Sequence, residues 1–146
     1  MAREAAAESG LPLGLHLDDT VGPVQADPMR LKLLLRNLLN NVQRHAAQAT
    51  QPAELFLRRE ADGRIALGVR DHGPGVDDGQ LARLGEAFHR PDSARTRASG
   101  GVGLGLHLCR LVAQAHGGEL RVQHAGPGLE VAMLWAATAT TSSVRA

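Results

Sequence analysis

A row of polar side chains follows one face of the first long helix that the sequence predicts. Asn37, Asn41, Arg44 and His45 are spaced i, i+4, i+7 and i+8, so they lie on one side of that helix, beside a leucine stripe. An asparagine carbonyl is a hard oxygen ligand suited to Mg²⁺, and a guanidinium pairs with phosphate oxygens. A solvated helix face is the alternative, but asparagine is a poor helix former and "NLLNN" contains three of them. The row is therefore compatible with a site for magnesium and phosphate.

A carboxylate followed by glycines marks the end of a predicted strand. The segment "DHGPGV", residues 71–76, comes directly after the apolar run "RIALGV". At a strand end, the Asp71 carboxylate can accept a hydrogen bond from an exocyclic amine. Gly73 and Gly75 would let a flat ring approach the backbone. A tight turn without any ligand explains the same residues equally well.

A glycine cluster leads into the last predicted helix. The segment "GGVGLGLHL", residues 100–108, brings Gly101, Gly103 and Gly105 to the start of that helix. Free N–H groups and roughly half a positive charge at a helix N-terminus make an anion site. The spacing is not the dinucleotide-binding G-x-G-x-x-G, because Leu106 occupies the last position, and no G-K-[ST] triplet of a P-loop occurs in the chain.

The elements that must position these residues follow from periodicity and turn chemistry. Alternating leucines predict a strand over residues 11–17, and "VGPVQA" predicts a second short one. A helix capped by Asp27 runs to about residue 47, and the strands "AELFLRRE" and "RIALGVRD" follow it. The short helix "DDGQLARLGEAF" leads to a long mobile loop over residues 89–102, then to a helix over 103–116 and a hairpin, "ELRVQHA" with "GLEVAMLWAA".

This order of elements predicts an α+β fold, a two-layer sandwich with a mixed sheet of about five strands and three helices on one face. We expect the domain to span residues 11–137. Residues 1–10 resemble the end of an upstream helix or linker, and residues 138–146 a disordered tail.

Composition narrows the classes of function. The 146 residues indicate one domain, and a net charge of +1 argues against a dominant nucleic-acid or membrane-surface role. Cys109 is the only cysteine, which excludes an internal disulfide and a cysteine-built metal site, and its apolar helical context predicts a core residue. No apolar run of about 18 residues occurs.

In their order and spacing, these motifs resemble the Bergerat ATP-binding fold, and most closely the catalytic and ATP-binding domain of bacterial sensor histidine kinases. "DPMRLKLLLRNLLNNVQRH" resembles the N box of that family and "DHGPG" its first glycine box. "EAFHR" resembles its F box, "GVGLGL" its second glycine box and "RPDSARTRASGG" its ATP lid. The resemblance covers residues 11–137.

The resemblance implies a role for each polar residue of the site. Asn41 would ligate Mg²⁺, and Asn37 and Arg44 would lie near the phosphates of ATP; these three residues form the implied catalytic set. His45 matches the position where the family often places a ring against adenine. Asp71 would accept a hydrogen bond from the adenine amino group.

The resemblance also implies a set of residues that shape the pocket. Gly73 and Gly75 would leave room for the base, Phe88 would anchor the lid, and Arg97, with its neighbouring lid arginines, would reach the γ-phosphate. The residues that would let the lid close over the phosphates are Gly101, Val102, Gly103, Leu104, Gly105 and Leu106.

One position separates kinases from hydrolases within this fold. Gyrase B, the MutL proteins and a heat-shock chaperone place a glutamate, as general base for water, four residues before the magnesium asparagine. Here that residue is Asn37, and an amide takes no proton at neutral pH. A histidine nucleophile needs less help from a base, because its neutral imidazole already carries a lone pair. Asn37 therefore favours phosphoryl transfer to histidine.

The implied partners lie outside the chain. None of its seven histidines has a context like the family's "S-H-E-[LF]-R-[TN]-P" acceptor. We therefore expect ATP, a dimerisation domain carrying the acceptor histidine and a cognate response regulator as partners, with no nucleic acid and no direct membrane contact. The resemblance implies a monomeric, cytoplasmic domain of a protein anchored in the bacterial inner membrane. An ATP-binding regulatory module and a stand-alone ATPase are the alternatives.

Overall fold

A five-stranded mixed sheet forms one layer of the molecule. The computed structural model describes residues 1–22, 24–46, 49–84 and 102–136. The strands are β1 (Leu13–Leu17), β2 (Ala53–Arg59), β3 (Ile65–Arg70), β4 (Glu119–His124) and β5 (Leu129–Trp135). Their order is β1-β2-β3-β5-β4; β1 and β2 are parallel and every other pair is antiparallel. The predicted α+β fold with a mixed sheet is confirmed.

Helices form the second layer. They are α1 (Ala2–Ser9), α2 (Pro28–His45), α3 (Asp78–Leu84) and α4 (Val102–Ala115). Asp27 caps α2 as predicted: its Oδ1 accepts the N–H groups of Met29 and Arg30, and Pro28 takes the first helical position. Helix α2 is shorter at its end than the sequence predicts, because it stops at His45.

The core lies between the leucine stripe of α2, the inner side of α4 and the inner face of the sheet. Leu34, Leu35 and Leu38 are at most 2% exposed. Cys109 is fully buried in α4, and desolvation raises the pKa of its thiol to about 12, so it packs as a small core residue. Among the residues that the structure describes, no helix combines the length and apolar character that crossing a bilayer requires.

Two N-terminal segments differ from the expectation. Helix α1 buries Ala2 and Ala5 in the same core, so the described structure adds a fourth helix to the predicted three. The segment "VGPVQA" was predicted to be a strand, which is wrong: it starts at the end of a 3₁₀ turn, Asp19–Val21, and contributes a single bridge residue at Val24. Gly22, with φ +70°, turns the backbone away, and the proline after it has no N–H for a ladder.

The outer face of the sheet is covered by a network of ion pairs, whereas the inner face is covered by the helices. Arg58 and Arg121 each contact both Glu60 and Glu130, at 2.7–3.2 Å. Hydrogen bonds from Arg58 and then Arg121 lower the pKa of Glu60 below its ordinary value. The Arg58 guanidinium also lies 4.2 Å from the ring centre of Phe56, which is only 5% exposed. This network therefore shields the apolar side chains of the outer face, such as Phe56, from water.

Candidate functional site

Three of the sequence motifs converge at one end of the domain. Helix α2 leads into β2, and Glu54 at the start of β2 pairs with Arg70 at the end of β3. The C-terminal end of α2 and the segment after β3 therefore lie at the same end of the sheet. Helix α4 runs antiparallel to α2, and its N-terminal turn faces the second half of α2. The asparagine row, Asp71 and the glycine-rich helix start thus belong to one region.

Gly105 is the point where the two helices meet within this region. A Cβ at Gly105 would lie 3.6 Å from Oδ1 of Asn37 and 3.6 Å from Oδ1 of Asn41, so both amide oxygens face the backbone of α4. The Asn37 amide nitrogen donates to the Leu33 carbonyl at 2.9 Å, which fixes the orientation of that amide. Because α4 begins three residues before Gly105, its free N–H groups and positive dipole end lie beside two neutral oxygen ligands. This arrangement suits an anion together with a hard cation.

The donor set near Asn41 fits Mg²⁺ in one particular way. Within the described ranges, no group of three or more histidine, cysteine, aspartate or glutamate side chains could hold a metal ion. A cation here would therefore take an oxygen from Asn41 and most of its other ligands from phosphates and water, which is how Mg²⁺ usually binds.

Asp71 is held by backbone N–H groups. Its Oδ1 accepts from Gly73 N at 2.9 Å and from Leu129 N at 3.3 Å, and its own N–H donates to the Leu129 carbonyl at 2.9 Å. None of these three hydrogen bonds involves the second carboxylate oxygen, Oδ2. Gly75 has φ +72°, a conformation that favours glycine, and packs against Gly128. The carboxylate is thus oriented by the protein through one oxygen, while the other can meet a ligand.

The remaining predicted residues fall into two groups. Arg44 is exposed on α2, and Leu106 is 3% exposed in the core, so only the backbone of Leu106 is available to a ligand. Outside the described residues lie Phe88, Arg97 and Gly101, together with the side chains of His45, Val102 and Leu104 and the surroundings of Gly103. The predicted mobile loop over residues 89–102 lies there too, apart from the first residue of α4.

Sequence reasoning missed the support beneath Asp71. Arg70 and the segment between β4 and β5, residues 125–128, both contact Asp71 or its neighbours. The "GPG" of this segment predicts a turn and nothing more. Its contact with Asp71 arises because β5 pairs with β3, and no local pattern encodes that pairing.

A groove of about 540 Å³ on the outer face of the sheet is a different place. Its walls include His16, Glu54 and Arg70. Glu54 pairs with His16 and with His72, each at 3.0 Å, and lies 4.0 Å from Arg70. Neither the asparagine row nor Asp71 lines this groove, so it is separate from the candidate site.

The chain matches the profile of the family of histidine kinase-, DNA gyrase B- and HSP90-like ATPases over residues 26–139. It belongs to that family, and the predicted resemblance to the ATP-binding domain of sensor histidine kinases is confirmed.

Similar proteins place it more narrowly within the family. The chain is 38% identical to the signal transduction histidine-protein kinase BaeS of Escherichia coli K12 over 122 residues, which is 84% of this chain and 26% of BaeS. The mycobacterial sensor histidine kinase MprB superposes with a TM-score of 0.66 at 25% identity, covering 95% of each chain. Full-length ShkA in complex with AMPPNP superposes with a TM-score of 0.68 at 27% identity, covering 94% of this chain and 28% of ShkA. The chain thus spans about a quarter of BaeS and of ShkA.

Proposed function

We propose that this chain is the ATP-binding catalytic domain of a two-component sensor histidine kinase. It binds Mg²⁺-ATP and presents the γ-phosphoryl group to a histidine on a separate dimerisation domain. The observation that carries the proposal is the convergence of the Asn37 and Asn41 oxygens on Gly105, at the N-terminal turn of α4. The similarity to BaeS and the AMPPNP complex of ShkA support it.

Each part of the site has a task in this proposal. Oδ1 of Asn41 holds the cation, the N-terminus of α4 stabilises the phosphates and Arg44 pairs with them. The Asp71 oxygen Oδ2 accepts from the adenine amino group, and Gly73 and Gly75 leave the face of the base free. When bound, Mg²⁺ neutralises charge on the phosphates.

Transfer follows from position and charge. The neutral imidazole of the acceptor attacks the γ-phosphorus, the bond to the bridging oxygen breaks, and ADP leaves. Asn37 cannot take a proton from water, and its amide is already committed to the Leu33 carbonyl. Water attack therefore lacks a base at this position, which favours histidine transfer over a stand-alone ATPase. The cognate response regulator would take the phosphoryl group from the acceptor histidine, and both partners would meet this monomeric domain in the cytoplasm, where ATP is supplied.

The test uses γ-labelled ATP with the pure chain, alone and mixed with the dimerisation domain of its parent protein. Alone, the chain should show neither self-labelling nor appreciable hydrolysis. The mixture should show slow, acid-labile labelling of the acceptor histidine, because the effective concentration of a tether is missing. Acid-labile phosphate on this chain alone, or brisk ATP turnover by it, would contradict the proposal.

The magnesium assignment has its own variant. Asn41→Ala should abolish the Mg²⁺ dependence of ATP binding in calorimetry, because the metal loses its protein oxygen. Asn40→Ala is the matched control, since Asn40 is exposed on α2 and stands outside the predicted row. Full Mg²⁺-dependent affinity in Asn41→Ala would show that the metal lies elsewhere.

A further inference from the structure

Arg70, the last residue of β3, joins the strand end to the turn between β4 and β5. Its Nε donates to the Asp71 carbonyl at 3.2 Å. One terminal nitrogen of the same guanidinium donates to the Ala125 carbonyl at 2.8 Å and to the Pro127 carbonyl at 3.2 Å. One half-buried side chain therefore connects the backbone at Asp71 with two carbonyls of a turn that is more than fifty residues away in sequence.

That turn, residues 125–128, in turn fixes the Asp71 carboxylate. It is closed by a hydrogen bond from Ala125 N to the Gly128 carbonyl at 3.0 Å. Gly128 passes so close to Asp71 that a Cβ there would lie 2.6 Å from Oδ1 and would collide with the Asp71 carbonyl. The next residue, Leu129, donates its N–H to Oδ1. A shift of the turn would therefore move a hydrogen-bond donor and the wall on one side of the carboxylate.

We infer that Arg70 is a positioning residue for nucleotide selectivity: it holds the β4–β5 turn against Asp71 and so aims Oδ2 at the base. This inference rests on the proposed function, in which Asp71 accepts from the adenine amino group. The planar guanidinium suits the task because its fork donates in several fixed directions at once, whereas a lysine ammonium is a point charge. The neighbouring Glu54 carboxylate, at 4.0 Å, offsets the charge of Arg70.

A purely structural role for Arg70 makes a different prediction. In that role, Arg70 would only connect the end of β3 to the β4–β5 turn and stabilise the fold. Arg64 provides the matched control, because it directly precedes the other end of β3 and also reaches across the sheet, to Glu119 at 3.1 Å, while pairing locally with Asp62 at 2.8 Å. A structural role would make Arg70 and Arg64 equivalent, while a positioning role would separate them in the ratio of ATP to GTP affinity. GTP presents a carbonyl oxygen where ATP presents the amino group, so this ratio reports on the orientation of the Asp71 carboxylate.

The experiment measures Mg²⁺-ATP and Mg²⁺-GTP affinities of the whole chain by calorimetry, with unfolding free energies alongside. Arg70→Met keeps the apolar stem and removes the guanidinium. It should weaken ATP binding about tenfold and leave GTP binding nearly unchanged, a loss equivalent to about 1.4 kcal/mol. Arg70→Lys should recover only part of the ratio of ATP to GTP affinity. Arg64→Met should keep the wild-type ratio even where its unfolding free energy changes. An unchanged ratio in a folded Arg70→Met variant would overturn the inference.

A glycine pair keeps the inference testable if Arg70→Met does not fold. Gly128 and Gly63 both have positive φ, at +90° and +89°, so alanine strains the backbone at either position. Gly63 lies between β2 and β3, outside the turn that contacts Asp71, and nothing lies within 4 Å of a Cβ there, whereas a Cβ at Gly128 would meet Asp71. Gly128→Ala should compress the affinity ratio and Gly63→Ala should not; equal ratios in the two variants would overturn the inference.

Asp71→Asn separates the two levels of the argument. If Asp71→Asn leaves the ratio of ATP to GTP affinity unchanged, the role of Asp71 in the proposed function fails. If Asp71→Asn collapses the ratio while Arg70→Met and Gly128→Ala do not, the proposed function stands and the inference about Arg70 fails.

Discussion

The two ends of the antiparallel pair α2 and α4 are built in opposite ways. At one end, His116 follows α4 and its Nε2 accepts the N–H of Asp27 at 3.0 Å, while Nδ1 donates to the Val112 carbonyl at 2.8 Å. The ring also meets Trp135 edge-on, with centroids 6.1 Å apart, and the indole N–H donates to the Gln25 carbonyl. This end, which we call the latched end, is fixed by protein groups alone.

The other end of the pair carries the candidate site. Here Gly105 contributes no side chain, and a Cβ at its position would lie 3.6 Å from the amide oxygens of both Asn37 and Asn41. We call it the open end. The contrast shows how the fold divides its tasks. Side-chain hydrogen bonds align the two helices at the latched end. The amide oxygens and helix N–H groups of the open end are therefore not needed for this alignment. Changes at the open end should alter ligand binding, and changes at the latched end should alter stability.

Gly105→Ala should give the largest effect on function, and in the opposite direction to its effect on stability. Alanine is favoured over glycine inside a helix by up to about 1 kcal/mol, and its Cβ makes ordinary contacts at 3.6 Å, so unfolding should become harder. In the proposed function, the same methyl group would occupy the space between the two amide oxygens and the phosphates. ATP affinity should therefore fall at least about tenfold, measured by calorimetry next to thermal unfolding.

Gly79→Ala is the control for that variant. Gly79 lies in α3, away from the pair, and a Cβ there would contact only the Asp77 side chain at 3.4 Å. It should shift stability without changing ATP affinity. Wild-type affinity in Gly105→Ala would mean that the open end does not receive the phosphates.

His116→Ala should break the latched end. It leaves the Asp27 N–H and the Val112 carbonyl without their side-chain partner and removes the contact with Trp135. Urea unfolding should show a loss of roughly 1–2 kcal/mol with an unchanged slope. The folded variant should bind ATP with nearly wild-type affinity, because the open end keeps its own groups.

Two further variants sharpen this result. His116→Gln can still offer an oxygen acceptor to Asp27 and should recover part of the stability. His124→Ala removes only an exposed pair with Asp78 and should stay within about 0.5 kcal/mol of wild type. An ATP affinity that falls as far in His116→Ala as in Gly105→Ala would remove the distinction between the ends.

The sequence could predict the open end because its information is local. The 3.6-residue period fixes which side of α2 carries Asn37 and Asn41, and glycines beside a helix start are visible as such. The strand before Asp71 is equally readable from its apolar run. The glycine motif likewise predicts that Gly105 enters α4 without a side chain. The elements that carry Asn37, Asn41, Asp71 and Gly105 were therefore predictable before any tertiary contact was known.

The latched end and the support of Asp71 could not be predicted in this way. His116 contacts a residue 89 positions away, and Arg70 contacts carbonyls more than fifty positions away, so both depend on helix and strand pairing across the fold. In the sequence, His116 is a histidine before two glycines and Arg70 a charged residue at a strand end. Neither context specifies a partner. The wrong strand prediction for "VGPVQA" has a related cause, because an apolar pattern carries no information about a backbone that turns at Gly22.

The smallest expected effect concerns Asp27, whose carboxylate caps α2 at the latched end. The backbone hydrogen bond from Arg30 is the main cause that lowers the pKa of Asp27 below its ordinary value. Because the folded pKa lies below the unfolded one, the charged cap contributes stability above the unfolded pKa of about 3.9. That contribution is lost as the pH falls through the folded pKa. Asp27→Asn keeps an oxygen acceptor for the cap but does not titrate.

The difference in unfolding free energy between wild type and Asp27→Asn should therefore be constant from pH 7 to about pH 5 and shrink on further acidification. Urea unfolding at several pH values measures it, and added salt should reduce it, because the side chain is exposed and its pair with Arg30 is screened. ATP affinity at pH 7 should be the same for both proteins. A difference that persists undiminished below the folded pKa would show that the cap acts without its charge, and a change in ATP affinity would show that the two ends are coupled.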